Sequence, residues 1–241
     1  MTPRFRITLL STTLLLAAIA AGISTWLVWL PCQGSMLNGL FGFREASGFA
    51  DVCLTRMDGN GARPLATGVV ESRALSALLL GLGWWAYAST LRLARVSRLL
   101  VLLPIVSIVW FAMQTLLSTS ASTLWEITAA EVMVSLTSAL AGIVLLLHPA
   151  ENRTRYVGLI GLWGVASCGA VHAAGDYMLM IGFHTANWDV PPGTGYISAL
   201  GMAICGVLVA ILGWRSTRGK DGKSHSMTRD TLRAPALATS I

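Results

Sequence analysis

Apolar residues gather into six long runs, at 7–30, 74–91, 99–117, 124–148, 156–183 and 196–214. No two-residue alternation marks any of them as a half-buried strand. Nor does any run carry enough polar residues on one face to line an aqueous pore. About 20 helical residues cross a hydrocarbon core, so each run has roughly the length of a span. A lone strand cannot satisfy its backbone polar groups in lipid, whereas a helix satisfies them internally. The pattern predicts an all-α fold: a polytopic membrane helix bundle of six transmembrane helices. No internal repeat is evident at solenoid or inverted-repeat periods.

Composition agrees with the pattern. Of the 241 residues, 54% are hydrophobic and 12% charged, where soluble domains run nearer about 25% charged. The mean hydropathy is +0.67.

Charge then orients the bundle. The net charge is +6. With both termini cytoplasmic, 13 of the 17 basic residues fall inside: Arg4, Arg6, Arg92, Arg95, Arg98, Arg153, Arg155 and six in the tail. Only Arg44, Arg56, Arg63 and Arg73 fall outside. An excess of Lys and Arg in cytoplasmic connectors is the usual orienting signal. It also accounts for the basic balance without a nucleic-acid partner, which would need a soluble basic face. The partners implied are the lipid bilayer and other membrane proteins. The location implied is a cell (plasma or inner) membrane, and the alanine- and arginine-rich composition suits a bacterial one.

Residues 1–214 form the six-helix domain on this reading. The start, "TPRFRITLLSTTLLLAAIA", resembles a signal peptide, but the apolar run continues to Leu30. A signal peptide's apolar core is shorter, so an uncleaved first helix is expected. Residues 215–241 are polar and aperiodic and are expected to form a disordered basic cytoplasmic tail.

The long connector 31–73 is an extracytoplasmic loop on this topology, and it holds Cys32 and Cys53. Oxidation is permitted on that side. A bridge would close a loop of about 20 residues and contribute about 3 kcal/mol. A structural disulfide is expected rather than a redox pair, because no C-x-x-C occurs. Cys168 and Cys205 lie in apolar runs and suit packing positions.

The candidate chemistry lies within the apolar runs. "CGAVHAAGDY" places Cys168, His172 and Asp176 at i, i+4 and i+8 of one helix. An ionisable group in a membrane helix costs at least about 2.5 kcal/mol and usually marks function. Taking the fourth helix to start near 124, Glu131 falls at a similar height to Asp176, and Gln114 is compatible. The expectation is a recess open to the outside, lined by Gln114, Glu131, His172 and Asp176. A purely structural clamp, such as Glu131 to His172, is the alternative. "TLWE", Thr123 to Glu126, reads as a helix capping box. The last outer loop offers a lid in His184, Trp188 and Asp189, or a rigid hairpin turned by the double proline and the glycines.

No H-x-x-x-H or H-E-x-x-H is present, so no metal site is assigned, and cofactors stay unknown. The function expected is that of a non-catalytic membrane module or subunit presenting a disulfide-tied loop and a polar recess. A membrane-embedded hydrolase, metal-assisted or acid–base, is one alternative; a small-solute or proton-coupled carrier is another.

Overall fold

The computed structural model describes residues 3–29, 68–117, 128–149, 152–183 and 193–231. Every regular element among them is helical. They are α1 (Pro3–Trp29), α2 (Val69–Ala88), α3 (Arg95–Leu117), α4 (Ala129–Leu147), α5 (Asn152–Val165), a single 3-10 turn (Ala166–Cys168), α6 (Ala170–Phe183) and α7 (Tyr196–Thr231). Cys32, Cys53, His184, Trp188, Asp189 and the Thr123–Glu126 box lie outside the described residues.

Four helices, α1, α3, α4 and α7, hold stretches long and apolar enough to cross a membrane. The pair α5–α6 makes a fifth if its two halves form one span. The remaining run, α2, does not reach that standard; its first turn carries Glu71, and Arg73 follows.

Three boundaries differ from the expectation. The run 156–183 is not one helix: α5 and α6 meet at a bend of 73°. The first described turn of α4 starts at Ala129, not near 124, with Thr128 as its cap. And α7 continues as helix to Thr231, where an irregular tail had been expected from 215.

The bundle is apolar on the outside as well as at its centre. Leu10, Leu14 and Ala17 of α1 are fully buried with Trp84 of α2, Val134 and Ala141 of α4 and Val209 of α7. Outward-facing positions are equally greasy: Val96 is 70% exposed, Leu117 77% and Leu147 80%. A water-soluble chain rarely leaves so much contiguous apolar surface bare, whereas lipid tails cover it without cost.

The polar groups turn inward and bond between helices. Ser11 Oγ donates to the Gly206 carbonyl at 2.8 Å, tying α1 to α7. Ser76 Oγ donates to the Ala17 carbonyl at 2.8 Å, tying α2 to α1. Trp84 Nε1 donates to the Val101 carbonyl at 2.7 Å and Tyr87 Oη to the Thr154 carbonyl at 2.6 Å. Small residues and interhelical hydrogen bonds are what hold helices together where no hydrophobic gain is available. Glycine supplies the close approach of α5: a Cβ on Gly164 would sit 2.7 Å from Leu14 Cδ2. This makes α1 the central helix, packed on α2, α5 and α7.

Candidate functional site

One end of the bundle is hollow. The C-terminal turns of α1, the N-terminal turns of α2, α4 and α7, Phe111 of α3, the 3-10 turn and α6 enclose a cavity of about 420 Å³. That lies within the range of pockets that hold small ligands.

Its first polar feature is an ion pair. Arg73 donates from Nη2 to Glu131 Oε1 at 3.1 Å. The Glu131 side chain is 4% exposed and that of Arg73 22%. The guanidinium also lies over the Phe111 ring, 5.4 Å from its centre. Glu131 is a capping residue as well: its Oε2 accepts from the Thr128 N–H at 2.8 Å, and Thr128 Oγ1 accepts from the Glu131 N–H at 3.2 Å. Both carboxylate oxygens are therefore used, one to start α4 and one to hold α2 against it.

Asp176 is held differently. It is 2% exposed and lines the same cavity. Its Oδ2 accepts from the Ser198 N–H at 2.9 Å. Ser198 lies in the first turn of α7, where N–H groups lack an intrahelical acceptor and the helix end is partially positive. Asp176 thus caps α7 from α6. Its other oxygen, Oδ1, is buried without a hydrogen-bond partner. The chain enters α7 through Gly193 and Gly195, whose φ values of 91° and 110° lie in the left-handed region. Those glycines make the turn that the sequence pattern anticipated.

The four expected recess residues separate. Glu131 and Asp176 both line the cavity; Gln114 and His172 do not. The break before α6 takes Cys168 out of the ladder Cys168–His172–Asp176, and leaves His172 and Asp176 one turn apart on α6. Cys168 sits in the 3-10 turn and faces the cavity, whereas His172 packs edge-on against Trp163, ring centres 4.5 Å apart. The Glu131–His172 clamp is replaced by Glu131–Arg73. Glu131 also lies in the first turn of its helix rather than about two turns along it.

Arg73 is the residue the sequence reading missed. The apolar run begins at Ala74, so the sequence pattern alone places Arg73 in the outer loop. The available signal was a capping pattern, with Glu71 at the third position of α2 bonding the Gly68 N–H at 3.0 Å. That pattern starts the helix before Arg73.

Among the described residues, no three His, Cys, Asp or Glu side chains come together as a metal site. No protein-family model, curated protein or solved structure matches the chain.

Proposed function

We propose that the chain is a multi-pass integral membrane protein of six spans with both termini cytoplasmic, acting as a non-catalytic membrane module with a polar recess at its outer end. The cavity supports this reading. It lies at the end of the bundle where α1 finishes and α2, α4 and α7 begin, the end that faces outside if the arginine-rich connectors are cytoplasmic. Counting α2 and the bent pair as spans gives the number that returns both termini to one side.

The test is sidedness. A glycosylation acceptor or protease site at residue 50 should be reached from outside, and one at residue 235 only from the cytoplasm. Cytoplasmic exposure of residue 50 would overturn the proposal.

The carrier reading gains one observation. The break between α5 and α6 lies at the cavity, where Ser167 and Cys168 of the 3-10 turn form part of its wall. Discontinuous helices that line a cavity are a recurring feature of secondary transporters. Solute uptake by reconstituted vesicles would favour the carrier over the static module.

A further inference from the structure

The recess, as proposed above, is asymmetric in what it offers a ligand. Ser24 Oγ donates to the Val69 carbonyl at 2.9 Å and Ser76 Oγ to the Ala17 carbonyl at 2.8 Å. Ser167 Oγ points to the Trp163 carbonyl at 3.5 Å and Cys168 Sγ to the Val165 carbonyl at 3.5 Å. All four line the cavity. Each has committed its hydrogen to a helix carbonyl, so what it presents to the cavity is lone pairs. Arg73 is the only cation among the described lining residues, and Glu131 already engages it. The hydroxyl residues Thr25, Tyr177, Thr194 and Ser198 complete the polar lining, and beside these groups stands Asp176 Oδ1, an oxygen of a side chain only 2% exposed, with no hydrogen-bond partner. A buried carboxylate oxygen in that position is matched by a charged donor. The remaining wall is largely apolar, with Val28, Ala77, Phe111 and Met202 contributing.

We infer that the recess binds a protonated amine on an apolar body, its ammonium on Asp176 Oδ1 and its hydrocarbon along the wall formed by α1, α2 and α7. A free alkylamine and the ethanolamine headgroup of a lipid both present that chemistry.

The inference rests on the recess reading, and the experiment separates the two. Full-length protein is purified in neutral detergent, and adducts are counted by native mass spectrometry at pH 7.4. The probes are n-octylamine, n-octanol, octanoate and two lysolipids, one with an ethanolamine and one with a choline headgroup. The expected result is one ammonium-bearing probe retained per chain, octylamine for a free amine or the ethanolamine lysolipid for a headgroup. It should bind at least tenfold tighter than octanol or octanoate. Asp176→Asn keeps an acceptor for Ser198 but removes the charge, and should lose that tenfold preference. Ala173→Phe puts a ring into the cavity and leaves the Asp176 carboxylate in the chain, and should abolish retention; helix content by circular dichroism verifies that both variants fold. Equal retention of all probes, or an unchanged preference in Asp176→Asn, overturns the amine assignment. If octanol is retained and lost in Ala173→Phe while no amine is favoured, the recess stands without it. If nothing is retained, the recess falls too.

Discussion

Glu131 and Asp176 are both carboxylates in apolar surroundings, but their neighbours give them different tasks. Glu131 has both carboxylate oxygens bonded, one by Arg73 and one by the Thr128 N–H. Removing one partner of such a buried pair strands the other, and costs about 3–5 kcal/mol. Replacing both with apolar residues of similar volume is far less costly. Glu131→Leu should therefore destabilise the bundle by about that amount, and Arg73→Met with Glu131→Leu should recover most of it. Unfolding from mixed micelles measures both. A double variant no more stable than the single one would show that the pair's charges have a task beyond joining α2 to α4. Both carboxylates were legible in the sequence, because a lone acid in an apolar run stands out. Their partners were not. The signature T-x-x-E occurs at Thr123–Glu126 and again at Thr128–Glu131; reading the first as the helix start turned Glu131 into a mid-helix acid. Arg73 was hidden by the same kind of boundary error, since a charge one residue outside an apolar run reads as loop.

At the scale of elements, the break between α5 and α6 does most to shape the cavity. The 73° bend aims α6 so that Asp176 reaches the start of α7. Little in the sequence announces it, because the run from 156 to 183 is largely apolar on both sides of the break and contains no proline. Gly169 is the one local signal. It has a negative φ of −97°, so the glycine is needed for space rather than for backbone freedom. A Cβ there would meet Ser135 Oγ at 2.5 Å and the Ala166 carbonyl at 3.0 Å. Ser135 has its own part: its Oγ accepts from the Val171 N–H at 3.2 Å, a donor that the break releases from the helix ladder. A backbone donor with neither a protein partner nor water beside it costs about 1–3 kcal/mol. Ser135→Ala should thus lower stability within that range. Gly169→Ala should lower it further, because the methyl meets backbone as well as the hydroxyl. Thermal unfolding in lipid nanodiscs reports each; wild-type stability in Gly169→Ala would mean that α5 and α6 can straighten. The other elements were easier to read, since long apolar runs between arginine clusters leave one solution in lipid.

For the molecule as a whole, sidedness connects the charges, the cavity and the connectors. The turns of α1, α2, α4 and α7 that enclose the cavity belong to the same end of an alternating bundle, opposite Arg6, Arg92, Arg95 and Arg98. The alternation could be read from the arginines; the cavity could not, because it arises from a bend and from small side chains that no periodicity reveals. Cys168 allows both to be tested at once. It lines the cavity and is only partly buried, whereas Cys205 is buried among α1 and α5 side chains. In a chain whose other three cysteines are replaced by serine or alanine, Cys168 should react with a membrane-impermeant thiol reagent added to whole cells. It should be spared when the same reagent is sealed on the cytoplasmic side of inverted vesicles. Mass shift of the purified protein reads the result. Ala173→Phe, which fills the cavity without altering any charge that orients the helices, should slow the outside reaction at least tenfold while leaving the vesicle result unchanged. Labelling from the cytoplasmic side would reverse the orientation. Labelling from outside that ignores Ala173→Phe would keep the orientation and place Cys168 on a route to solvent other than the cavity.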